Sequence, residues 1–209
     1  MACGMGRSLM WLPEPPAGTS ICLGFDGSDF DDWTALKAET REGFVFTPRY
    51  GPDRAPTIWN PKEFPDQRTP RIEVTGAVRE CFERFDVRRL YADPPRFETD
   101  IDEWAQEFGE DRVVQWATYR GKQMHEALER FVADLSAKRV TQDGCPITAG
   151  HLANARKVSR GMRYILAKPN DHQKIDAAMA TVLAHEAAAD ERAAGWPDKT
   201  DSKLIFFTK

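Results

Sequence analysis

The chain has 209 residues, 41% of them hydrophobic, and its 29 Lys and Arg stand against 33 Asp and Glu for a formal net charge of -4. This length and apolar content support one sizeable globular domain and exclude a disordered or fibrous architecture. The acidic balance argues against nucleic-acid binding through bulk positive charge, and leaves room for an enzyme with a local basic groove.

The first twenty residues are rich in Gly and Pro and read as a tail or truncated linker, residues 1–19, before the first apolar run. The stretch MACGMGRSLMWLPEPP lacks the apolar core of a signal peptide, and no window is apolar for long enough to cross a bilayer. A soluble, cytoplasmic protein with no membrane partner is expected. ICLGF (21–25) suits a buried strand ending at Asp26-Gly27-Ser28, and WTALKAE (33–39) and GFVFTPRY (43–50) read as two further strands of an antiparallel meander. Residues 51–70 are proline-rich and read as an irregular surface excursion.

Val74, Val78, Cys81, Phe82 and Phe85 recur at helical spacing, and VRRLYADPP reads as a strand stopped by Pro94-Pro95. A second helix carries Phe97, Ile101, Trp104 and Phe108 on one stripe, followed by a strand at RVVQWAT. Met124, Ala127, Leu128, Phe131, Val132 and Leu135 form the clearest amphipathic stripe, and QDG (142–144) marks a turn. Residues 146–157 suggest a short helix and MRYILAK a short strand. A last helix starting near Asp171 turns Ile175, Ala178, Met179, Val182 and Leu183 inward and ends before Gly195-Trp196-Pro197. Three strands followed by alternating helix and strand imply an α/β fold in one domain, residues 20–195, with a C-terminal tail at 196–209.

Asp26 ends the first strand, Asp93 ends the fourth, and Asp176 lies in the first turns of the last helix. Adjacent parallel strands ending on one edge would bring Asp26 and Asp93 within reach of one cation. Hard divalent ions take oxygen ligands and offset the repulsion between crowded carboxylates. Each aspartate also has an ordinary reading: Asp-Gly after a strand is common turn chemistry, Asp93 precedes two prolines, and Asp176 suits a helix N-terminus. Asp32, six residues after Asp26, is a fourth candidate ligand or simply a turn cap.

Residues 151–174 hold six Lys or Arg against the single acid Asp171. Arg156, Lys157, Arg160 and Lys174 could meet a phosphate backbone, as could Arg120 and Lys122 just after the fifth strand. A solvated basic face is the alternative. The four cysteines, Cys3, Cys22, Cys81 and Cys145, show neither CxxC pairing nor metal-ligand spacing. No Walker A motif is present, GMGRS included, and neither is GxSxG or HExxH.

The stretches LGFDGSDFDDWTAL, RRLYADPPRFETDIDEWA, VVQWATYRGKQMHEALERF and KIDAAMATVLAHEA together resemble the nuclease half of the large terminase subunit of tailed bacteriophages, particularly those of actinobacterial hosts. The resemblance runs from about residue 18 to 195. It implies a ribonuclease H-like fold, with a central mixed sheet of five or more strands flanked by helices. It further implies an endonuclease that uses two Mg²⁺ or Mn²⁺ ions to cut concatemeric viral DNA during packaging in the bacterial host cytoplasm. The family's acidic residues fall on Asp26, Asp93 and Asp176, with Asp32 at an additional acidic position. The implied partners are double-stranded DNA, a separate terminase ATPase chain, the small terminase subunit and the portal. The family's ATPase motor motifs are missing, so an excised domain, a split-gene product or a prophage remnant is expected. Two rivals share these features: a junction-resolvase-like nuclease on the same fold, and a silent module that docks DNA or portal.

Overall fold

The computed structural model describes residues 11–197. Its elements in chain order are β1 (Ser20–Asp26), β2 (Thr34–Thr40), β3 (Phe44–Phe46), β4 (Arg49–Tyr50), β5 (Ala55–Pro56), β6 (Ile58–Trp59), a 3-10 turn (Pro61–Glu63) and α1 (Arg71–Arg84). There follow β7 (Asp86–Ala92), α2 (Glu98–Phe108), β8 (Val113–Gln115), α3 (Gly121–Ser136), β9 (Thr141–Gln142), α4 (Pro146–Asn154), β10 (Arg156–Arg160), β11 (Arg163–Ala167) and α5 (Asp176–Ala193). Seven strands form one mixed sheet in the order β8-β7-β1-β2-β3-β9, with β6 also paired to β2. The meander is antiparallel across β1, β2 and β3, whereas β1, β7 and β8 run parallel and end on one edge.

The two faces of β1 show why the helices sit where they do. Ile21, Leu23 and Phe25 point to one face and pack with Val74 and Val78 of α1 and Ile101 and Trp104 of α2. The rings of Phe97 and Trp104 meet Phe25 edge-on at 5.0 and 5.2 Å. Cys22 points the other way, towards a core built from α3 and α5 with Met124, Leu128, Phe131, Val182 and Leu183. Gly24 shares that second face, and there α5 lies directly on the strand. A Cβ at position 24 would stand 2.1 Å from the Ala184 nitrogen and 2.2 Å from the Ala180 oxygen, so only glycine admits the helix. The alanine-rich α5 is buried for most of its length, as a helix between a sheet and other helices must be.

Several boundaries differ from the sequence-based expectation. GFVFTPRY is broken in two at Pro48, which has no N–H for the ladder, and β4 instead makes a small hairpin with β5. Residues 51–70, expected to be irregular, include β6, whose Trp59 is buried at the margin of the sheet. The expected turn at 142–144 begins with β9, which pairs in parallel with β3 before Gly144 turns at φ 77°. The helix expected over 146–157 stops at Asn154, and 156–160 is instead the first strand of a hairpin with β11. α5 starts at Asp176, five residues later than expected, because the Asn170 side chain takes the His172 and Gln173 N–H groups and holds a turn there.

Residues 11–19, expected to be part of a tail, are bonded to the domain. Trp11 donates to Asp143, the Leu12 N–H to the Asp143 carbonyl, and Glu14 pairs with Arg54 and Arg84. Trp196, placed in the C-terminal tail, is likewise buried in the second core. Residues 1–10 and 198–209, which hold GMGRS and most of that tail, lie outside the described residues. Among the described residues, no helix is long and apolar enough to cross a membrane.

Candidate active site

The parallel pairing of β1 with β7 sets Phe25 opposite Ala92, so Asp26 and Asp93 emerge one step beyond at the same edge. The Asp93 N–H donates to the Phe25 carbonyl at 3.0 Å and fixes that relation. Asp26 follows Cys22 and Gly24 in the alternation and therefore faces α5. Two strand residues beyond Gly24 rise about 6.6 Å, and the four helix residues from Ala180 back to Asp176 rise about 6 Å. The close contact at Gly24 thus places Asp26 and Asp176 at the same height.

Asp26, Asp31, Asp32 and Asp176 line a cleft of about 200 Å³, with Pro95 and Arg96 on its other side. Loss of water and then the charges of Asp176, Asp93 and Asp32 hold the Asp26 carboxyl well above the usual carboxylate range. Asp176 is pushed up to about 6, chiefly by burial, with Asp32 adding to it and Lys174 and backbone hydrogen bonding opposing it. Its Oδ2 is buried without a hydrogen-bond partner. His151 stands behind this helix end, its Nδ1 accepting the Ala177 N–H at 3.0 Å and its ring edge-on to Trp33.

Asp93 is held more firmly. It accepts from the Thr118 N–H at 2.9 Å and from the Thr118 hydroxyl at 2.7 Å. Burial raises its pKa, and the two Thr118 bonds work against that. Asp32 goes the other way: burial alone would raise it, but Lys168 and Lys174, each 2.7 Å from its Oδ1, hold it below the usual range.

The oxygen-only donor set suits a hard divalent cation, and the unpartnered Asp176 oxygen is a coordination position in waiting. As the side chains stand, however, no group of three or more His, Cys, Asp or Glu among the described residues is arranged to hold an ion. Mutual repulsion keeps carboxylates apart until a cation lies between them. The residues therefore fit such an ion in kind, and side-chain rotation would have to complete the set.

The basic candidates divide into two groups. Arg156, Lys157 and Arg160 are exposed along β10, with the Lys157 ammonium 3.5 Å over the Tyr164 ring. Arg120 and Lys122 are exposed at the start of α3, Lys122 lying 3.8 Å from Glu126. Between these two sets runs a groove of about 420 Å³ that meets the acidic edge at Thr118. Lys174 does not line this groove and is committed to Asp32 beside the acidic cleft. Thr118 and Lys168 were not singled out as site residues from sequence. Each ends a segment read as a strand, RVVQWAT and MRYILAK, and that position at a strand end was the available signal, although β11 belongs to the separate hairpin and not to the main sheet.

The mixed sheet, with a helix laid over its first strand and carboxylates at the strand ends, defines the ribonuclease H-like class of α/β folds. Within that class the chain has the fold of phage large terminase nucleases. The large terminase nuclease from thermophilic phage G20c, solved with bound magnesium, superposes with a TM-score of 0.61 over 86% of this chain and 93% of that one, at 13% identity. The HK97 bacteriophage large terminase gives 0.60 at 18% identity, over 88% of this chain and 42% of that one. By sequence, the chain is 31% identical over 186 residues to the Gene 13 protein of Mycobacterium phage D29, and the match covers 83% of this chain. The chain spans 30% of that relative's length. No family model matches.

Proposed function

We propose that the chain is a divalent-metal-dependent DNA endonuclease of the terminase type, cutting concatemeric viral DNA during genome packaging. The observation that carries this reading is the acidic cleft at the strand edge, where the buried Asp176 oxygen has no partner and Asp26 is crowded by three carboxylates. The likeness to a nuclease solved with bound magnesium supports it. When bound, a pair of Mg²⁺ or Mn²⁺ ions would activate the attacking water and stabilise the leaving oxygen of a phosphodiester.

In this reading Asp26 and Asp93 would hold one ion between them, and Asp176 would help to hold the second. Thr118 orients Asp93 through two hydrogen bonds, so this carboxylate keeps one direction while Asp26 and Asp176 adjust. Arg156, Lys157 and Arg160 on the hairpin, with Arg120 and Lys122 across the groove, hold the duplex backbone. Residues 20–195 form the nuclease unit, and a separate terminase ATPase chain, the small terminase subunit and the portal are its partners in the host cytoplasm.

Supercoiled plasmid incubated with Mn²⁺ or Mg²⁺ and the purified chain is expected to be nicked and linearised, and EDTA should stop it. Equal cleavage by Asp26→Ala would falsify the assignment. Competing branched against linear duplex in one digest separates packaging-type cleavage from junction resolution.

A further inference from the structure

Two ammonium groups converge on one oxygen beside the acidic cleft. Lys168, the first residue after β11, and Lys174, just before α5, each donate to Asp32 Oδ1 at 2.7 Å. The other carboxylate near the pair, Asp171, lies 3.8 Å from Lys168 and is almost fully exposed, so water screens it and the trio keeps a surplus of positive charge on its buried side. The surplus is felt by the neighbouring ligand candidate: Lys174 lowers the pKa of Asp176, and Asp176 in turn raises that of Lys168. Yet neither lysine bonds Asp176, whose Oδ2 stays buried and unpartnered. Asp32 is thereby withheld from the cleft it lines, and a divalent ion entering there meets two positive charges.

We propose that Lys168 and Lys174 form a built-in counter-cation for the acidic cleft, keeping divalent ions weakly bound until a DNA backbone draws the two ammonium groups away. The inference rests on the metal-nuclease reading above. Lys168 directly follows the exposed basic hairpin, so a strand lying along Arg156, Lys157 and Arg160 brings phosphates to the lysine that must move. Each lysine that turns to a phosphate releases Asp32 and removes repulsion from the ion site. Ion and DNA then strengthen each other's binding by the same factor, as linkage requires. The chain would cut only where DNA is already seated, because the metal site is completed by the substrate.

The test is calorimetric titration of metal-stripped protein with Mn²⁺ alone. The double variant Lys168→Met with Lys174→Met is expected to bind Mn²⁺ on the order of tenfold more tightly than the parent. The charge-preserving pair Lys168→Arg with Lys174→Arg should stay near the parent value. Lys168→Gln alone, at the more exposed of the two positions, should shift affinity the same way by less, and it covers the case in which the double variant fails to fold. In EDTA, the Met pair should bind a short duplex with a salt slope lower by about 2. Asp26→Asn separates the two ideas. If it abolishes Mn²⁺ uptake while the lysine variants bind no more tightly than the parent, the counter-cation is overturned and the metal-nuclease reading stands. If neither the parent nor any lysine variant takes up Mn²⁺ and plasmid is not nicked, both fall.

Discussion

Glu39 and Asp176 are both buried carboxylates at the interface of α5 with the sheet, at opposite ends of the helix, and they are treated in opposite ways. Glu39 on β2 is fully enclosed, and its two oxygens bond the His185 ring at 2.9 Å and the Arg192 guanidinium at 2.9 Å. His185 Nε2 makes no hydrogen bond but lies 3.2 Å from the Asp134 carboxylate of α3, so at the far end of α5 both oxygens of the buried carboxylate are bonded and the ring between them faces a second acid. Asp176 is buried as well, but one of its oxygens has no partner, and the charges acting on it are Asp32, which opposes its ionisation, and Lys174, which favours it without bonding it. A buried charge that is matched belongs to the architecture, while one left unmatched implies something absent that completes it.

That contrast breaks in a definite order of effect. The largest is expected at the unmatched end: Asp26→Ala should lower plasmid cleavage on the order of a thousandfold or more, the size of losing metal-borne charge stabilisation, with circular dichroism unchanged. Next is the matched end, where Glu39→Ala strands His185 and Arg192 and should cost about 3 kcal/mol in urea unfolding. Mn²⁺ uptake by the folded protein should be unaffected, and a loss of uptake there would show that the two ends are not independent.

Asp176→Asn should move stability the other way. The Asp176 carboxyl titrates at about 6 in the folded chain against an ordinary value of 3.8, so the folded state holds the extra proton between those values. Stability therefore falls as pH rises from about 4 to about 6, and the full penalty is present at pH 7. Without metal, the variant should be more stable than the parent by on the order of 2 kcal/mol at pH 7, with the gain gone below about pH 4. A melting-temperature series across that range checks it, and saturating Mn²⁺ should shrink the gap by stabilising the parent alone. The smallest effect belongs to the hairpin, where Arg160→Ala should weaken duplex binding several-fold and reduce the salt slope by about 1.

The placement of Asp26 and Asp93 was legible because both close strands whose ends are marked in the sequence, Asp26 by a Gly-Ser turn and Asp93 by a Pro pair. Asp176 was legible as a carboxylate beside the apolar residues of a helix. What escaped was long-range. Nothing local says that Lys168 and Lys174 reach back to Asp32, more than 130 residues earlier in the chain. The hairpin strand Arg156–Arg160 was missed because all five of its residues are exposed, so no apolar alternation announces it. Lys37 shows the same limit inside the core: it is fully buried, opposite Gly24 and bonded to Thr47 and Thr148, although a lysine in a strand ordinarily reads as solvent-facing.

The bare contact at Gly24 makes the geometry of the cleft discrete. With helix backbone seated on strand backbone, α5 has no side-chain cushion through which to slide by fractions of an ångström. Its next comparable seating is a whole turn away, and that slip would bring Ala180, not Asp176, level with Asp26. Selection or engineering can thus switch this pair of carboxylates on or off but cannot tune their separation gradually. Anyone transplanting the site to another scaffold would need to carry the glycine with the acids.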